Sequence, residues 1–89
     1  MNDKVLIKII VPEIDETFDL FVPVNELVWK VKTMIIQCIN SLSSGALDVN
    51  KTTVMINKNT GYVYPNNTTI LQTDIRNGTE ILLVCLLYY

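Results

Sequence analysis

Two segments of this chain are apolar on both faces of a would-be strand, and they lie at its opposite ends. Residues 4–11 carry Val5, Leu6, Ile7, Ile9, Ile10 and Val11, interrupted by Lys8; residues 81–87 read Ile-Leu-Leu-Val-Cys-Leu-Leu. A strand with one wet face alternates apolar and polar residues, whereas one covered on both faces reads as a continuous apolar run. Branched residues such as Val and Ile fit that pleated surface better than a helix. The first and last strands are therefore expected side by side, in parallel, at the centre of a sheet.

The intervening pattern supplies what covers them. Pro12 and the acids Glu13, Asp15 and Glu16 form a turn, after which Phe18, Leu20 and Val22 alternate with Thr17, Asp19 and Phe21 as the second arm of a hairpin. Pro23 ends that strand. Asn25 is a candidate N-cap, and a helix to about Leu42 is predicted from the stripe Val28, Val31, Ile35, Cys38, Ile39 and Leu42, with Gly45 closing it. Residues 52–57 form a third strand, residues 62–64 a short fourth, and residues 69–75 a compact connector anchored by Ile70, Leu71 and Ile75. Gly78 supplies a positive φ before the last strand begins near Glu80. The order describes a single two-layer α+β domain over residues 1–89, with one helix on one face of a mixed four- to five-stranded sheet.

Several function classes lose their footing here. The chain has no His, so His-based triads and His metal sites are absent, and its dispersed acids lack the spacing of a calcium loop. No Gly-rich phosphate loop is present. Lys and Arg number seven and are scattered, in a chain of net charge −2, which is no nucleic-acid footprint. No apolar run reaches the roughly 20 residues a membrane-spanning helix needs. Cys38 and Cys85 read as two buried, reduced thiols in a cytoplasmic protein. Neither catalysis, nor a cofactor, nor a metal is expected.

The strand order is that of the β-grasp, and the chain resembles ubiquitin along nearly its whole length. Leu71, Ile75, Gly78, Ile81 and Leu83 fall in the ubiquitin-like closing pattern. A closer resemblance is to the YukD-like bacterial proteins that accompany type VII (WXG100, ESX-like) secretion systems of Gram-positive bacteria. It is carried by Phe18-Asp19-Leu20-Phe21-Val22-Pro23, the apolar helix, and Ile75-Arg76-Asn77-Gly78-Thr79-Glu80-Ile81-Leu82. The resemblance implies a non-conjugating accessory protein working by protein contacts. It would act in the cytoplasm, at the inner face of the membrane through its partners and without inserting into the bilayer. A stand-alone ubiquitin-fold adaptor or inhibitor, and a carrier or modifier protein, are the alternatives.

Conjugation requires a flexible Gly-Gly tail that an adenylating enzyme can thread, and the last strand runs instead into Tyr88 and Tyr89. Contact surfaces follow from pleat parity. If Ile7, Ile9, Phe18, Leu20, Val54, Ile56, Ile81 and Leu83 face the helix, then Leu6, Lys8, Ile10, Phe21, Met55, Leu82 and Val84 face away. The positions matching Met55 and Val84 belong to ubiquitin's own apolar recognition patch. Leu6, Ile10, Phe21, Met55, Leu82 and Val84 are thus the candidate partner-binding face, for a secretion component or a second copy of the chain. Trp29 and Ile36, off the core stripe, form a secondary candidate surface. Incubation with ATP and adenylating enzymes should yield no C-terminal adenylate by mass spectrometry; an adenylated chain would restore the carrier reading.

Overall fold

A computed structural model describes residues 3–45, 47 and 52–86. The described elements are β1 (Lys4–Val11), a 3₁₀ turn (Pro12–Ile14), β2 (Glu16–Pro23), α1 (Val28–Ser43), β3 (Thr52–Asn57), a second 3₁₀ turn (Ile70–Gln72) and β4 (Glu80–Leu86). The sheet order is β2-β1-β4-β3. β1 and β2 form the antiparallel hairpin, β1 and β4 pair in parallel, and β3 closes the far edge antiparallel to β4. The two doubly apolar segments are thus the two central strands. The expected short strand at residues 62–64 reduces to one isolated bridge, Ile56 with Val63.

Between the sheet and α1 lies a core built from Ile7, Ile9, Val11, Val22, Met55, Ile81 and Leu83 on the strands and Val28, Val31, Ile35 and Ile39 on the helix. Phe18 and Leu20 pack against it from the edge strand. Two members of the expected helical stripe lie outside this core: Cys38 and Leu42 are exposed. Lys32 takes the inward position instead. Its ammonium donates 2.9 Å to the Thr53 carbonyl, and burial lowers its pKa from the ordinary lysine value. Leu71 is also exposed, while Ile70 and Ile75 are fully buried anchors.

The helix begins two residues later than an Asn25 cap would place it. Leu27 occupies the N-cap without a side-chain acceptor. The first-turn amides of Val28 and Trp29 are satisfied by the carbonyls of Thr68 and Asn66, at 2.8 and 3.2 Å. A distant loop therefore does the work usually assigned to a local Ser or Asn. That loop is held by a reciprocal capping box between Thr69 and Gln72. At the other end, Ser44 (φ 58°) and Gly45 (φ 82°) both adopt left-handed geometry, so the turn uses a residue beyond the expected glycine.

The entry to β4 is stitched onto β1. The Gly78 amide donates 2.8 Å to the Leu6 carbonyl, the Leu6 amide donates 2.8 Å to Asn77 Oδ1, and the Lys8 amide donates 3.0 Å to the Thr79 carbonyl. Gly78 has φ 89°, a conformation that a Cβ would strain. The far edge is fixed by Asn57 and Tyr64. Asn57 Oδ1 accepts from the amides of Asn59 and Thr60, while its Nδ2 donates 3.0 Å to Tyr64 Oη. Tyr64 Oη in turn donates 2.6 Å to Asp74.

Burial, reinforced by the hydrogen bond to Asp74, pushes the Tyr64 phenol up to about 12. The folded value lies above the unfolded one near 10, so the stability this group contributes is intact below about pH 10 and lost as pH climbs through about 12. Tyr64→Phe should cost about 1–3 kcal/mol at neutral pH, because Asn57 loses its acceptor. It should also flatten the alkaline fall in stability, measured by urea unfolding across that range.

Candidate protein-binding face

Cross-strand partners project to the same side of a sheet, so the pairing register assembles the outer face row by row. Leu6 lies beside Phe21. The next row runs Asp19, Lys8, Glu80 and, through its amide on the Glu80 carbonyl, Lys58. Thr17, Ile10, Leu82 and Ile56 follow, then Val84 with Val54, and Leu86 with Thr52. Val63 extends the apolar rows past the β3 edge through its bridge to Ile56.

Two ion pairs cross the charged row. Lys8 lies 3.8 Å from Asp19, and Lys58 lies 3.2 Å from Glu80. Exposed pairs contribute on the order of 0–1 kcal/mol each. Their role is to orient four charges in line, and they add little to folding. The helix leaves this side of the sheet bare: Phe21 is 65% exposed, Val63 51% and Leu6 39%. Ile10, Leu82, Val84, Val54 and Ile56 are half-buried because they pack sideways on one another across neighbouring strands.

Of the six candidates for this face, Leu6, Ile10, Phe21, Leu82 and Val84 occupy it. Met55 does not. It is completely buried against the helix, and Val54 and Ile56 stand outside in its place. The reason is register. Met55 is paired with Leu83, whose side chain is in the core, while Val54 and Ile56 are paired with the outward Val84 and Leu82. Hydrophobic alternation misleads here, since the inward neighbours of Met55 are the polar residues Thr53 and Asn57, both nearly buried. The signal that could have found this is Asn57 itself. Placed immediately before a turn, an Asn side chain favours capping that turn's amides.

The secondary pair splits. Trp29 is 46% exposed, whereas Ile36 is half-buried and packs against the core, so it adds little surface. An additional apolar groove of about 150 Å³ lies between α1 and the edge strand β2. Its lining includes Leu20, Val31, Met34, Ile35 and Cys38. Cys38 and Met34 thus belong to a second helical stripe, which the sequence pattern merges with the core stripe. The expectation of two buried thiols fails at Cys38; Cys85 is half-buried, and neither is bridged. Tyr88 and Tyr89 lie outside the described residues.

The geometry offers a surface for protein contact. Among the described residues, no cluster of acids and cysteines could hold a metal, and no helix is long and apolar enough to cross a membrane. No protein-family model matches the chain, and no curated protein does. Solved structures do. The ubiquitin-like domain of EccD5 from Mycobacterium xenopi superposes with a TM-score of 0.80 at 10% identity, over 96% of this chain and 97% of that domain. A chain of the MycP5-free ESX-5 inner membrane complex gives 0.80 at 12% identity; it covers 99% of this chain, which spans 22% of that larger one. A chain of the toluene 4-monooxygenase HD complex gives 0.74 at 12% identity, over 93% of this chain and 99% of that one. At such identities the likeness establishes the fold: this is a ubiquitin-like β-grasp domain. Because chains of an inner membrane complex and of a monooxygenase complex share it, function must be argued from surfaces.

The two sides of β3 and β4 should respond oppositely to a carboxylate. Leu82→Asp should leave the far-ultraviolet circular dichroism and unfolding cooperativity intact while disrupting self-association or partner binding. Met55→Asp should unfold the domain, because it buries an unpaired charge; even Met55→Ala should cost about 2–5 kcal/mol. A folded Met55→Asp variant would contradict the register.

Proposed function

We propose that this chain is a non-enzymatic, non-conjugating ubiquitin-like accessory protein of a type VII (WXG100, ESX-like) secretion apparatus, of the YukD-like kind. It works by protein–protein contacts through the outer sheet face. The observation that carries the reading is the superposition over 99% of the chain on a component of the ESX-5 inner membrane complex. The end-to-end match to the EccD5 ubiquitin-like domain supports it. The character of the face supports the mode of action: an apolar sheet side of several strands, left bare by the helix and crossed by a charged row, is the usual mark of a partner surface.

The proposed place of action is the cytoplasmic side of the membrane, where the domain would be held by its partners. Catalysis has no part in this reading. A stand-alone adaptor or inhibitor would use the same face, and the toluene 4-monooxygenase likeness is the reminder that the scaffold serves other assemblies.

Affinity capture of the tagged chain from a Gram-positive host, under detergent conditions that retain membrane complexes, separates these readings. Recovery of the FtsK-like ATPase or membrane subunits of the secretion system is expected, and Leu82→Asp should reduce that recovery at least ~10-fold, the equivalent of about 1.4 kcal/mol. Recovery of no secretion component from intact membrane complexes would favour the stand-alone adaptor.

A further inference from the structure

We propose that the outer sheet face is an isologous interface between two copies of this chain. The inference rests on the binding role assigned to that face above and names its occupant. Its basis is the charged row, which reads across the four strands as Asp19, Lys8, Glu80, Lys58, alternating negative and positive.

Two copies that meet face to face are related by a two-fold axis lying in the interface plane. When that axis runs along the strands between β1 and β4, the row is laid on itself in reverse. Asp19 then meets the partner's Lys58, Lys8 meets the partner's Glu80, and the two remaining contacts are the same pairs by symmetry. All four contacts join opposite charges. When the axis runs across the strands, along the row, every charge meets its own kind. The alternation therefore favours one arrangement and opposes the other.

The adjacent row agrees with the favoured axis. Thr17, Ile10, Leu82 and Ile56 map onto themselves in reverse, so that Ile10 packs on the partner's Leu82 and Leu82 on the partner's Ile10. An axis parallel to the strands also preserves their direction. The two sheets then pack aligned, the arrangement that twisted sheets adopt at about −30°. The row carries two acids and two bases, so it has no net charge with which to recruit a strongly acidic or basic partner. Its own reverse is the complement that the pattern guarantees.

The size of the face is sufficient for a specific contact. Four strands about 4.8 Å apart, each about 25 Å long, present roughly 500 Å² in projection. Two copies would bury about 1,000 Å² in total, the lower bound of specific interfaces, and the charged row makes the contact sensitive to salt.

Sedimentation equilibrium of the purified chain tests the proposal, with two charge variants. Lys8→Glu with Lys58→Glu makes the row wholly acidic, and Asp19→Lys with Glu80→Lys makes it wholly basic. The expected result is a salt-weakened dimer for the wild type, a monomer for each variant alone, and a one-to-one heterodimer when the variants are mixed. A wild type that remains monomeric at about 100 µM, variants that dimerise as the wild type does, or a mixture that stays monomeric would each overturn it.

Should either variant fail to fold, Thr17→Cys with Ile56→Cys in a Cys38→Ser, Cys85→Ser background replaces them. Those positions lie three strand spacings apart within a copy, about 14 Å, too far for an internal disulfide. Facing sheets lie about 10 Å apart, beyond direct disulfide reach, so a short bis-maleimide is used; it should give a covalent dimer, and an unlinked monomer would overturn the interface. A dimer that captures no secretion component contradicts the proposed function and leaves this interface standing; a monomer that captures one does the reverse.

Discussion

The parallel pairing of β1 with β4 is the constraint on which the other contacts depend. Lys8, Ile9 and Ile10 lie against Glu80, Ile81 and Leu82, and this contact joins the two ends of the described chain. Once it forms, the hairpin must lie on one side of the pair and β3 on the other, because each central strand has one remaining edge. The helix must then cross the face that carries Ile7, Ile9, Ile81 and Leu83. The turn at Gly78 makes the pairing possible by presenting amides and carbonyls to β1 just before β4 begins.

The same pairing carries information to the rest of the sheet. The faces of β4 are set by β1, and β3 inherits them through its register with β4. That inheritance drives Met55 inward although its flanking residues, Thr53 and Asn57, are polar. The fold gives the Asn57 side chain specific partners and uses the backbone carbonyl of Thr53. Asn57 caps its own turn and reaches Tyr64, and the Thr53 carbonyl receives the Lys32 ammonium. With both polar positions committed to the helix side, Val54 and Ile56 are left to water. The outer face consequently becomes more apolar at the β3 edge than a simple hydrophobicity pattern implies.

One layer of helix on a sheet leaves the opposite side of the sheet uncovered, and in this chain that side carries apolar residues on both sides of the charged row, with Lys4 at the far end of β1. An apolar face of this kind lowers the free energy of association, and alternating charges restrict the geometries in which association occurs. The groove between α1 and β2 shares Phe21 with the outer face, so the two apolar surfaces meet at the β2 edge.

The continuous apolar runs at residues 4–11 and 81–87, the proline and glycine punctuation, and the helical period were sufficient to determine the element order, the central strands and most of the outer face. Leu6, Ile10, Phe21, Leu82 and Val84 lie where alternation within their own strands predicts. Local pattern succeeds there because each of those strands carries a strong signal of its own. It fails at Met55, Cys38, Leu42, Leu71 and the start of α1, whose environments depend on distant segments: the register of β4 for Met55, the demand of the Thr53 carbonyl for a donor at Lys32, and the loop carbonyls of Asn66 and Thr68 for the helix start. The charged row is the clearest case. Asp19, Lys8, Glu80 and Lys58 are far apart in the chain, and it took the tertiary pairing of four strands to bring them into one line, because strand pairing is a long-range contact that no local period encodes.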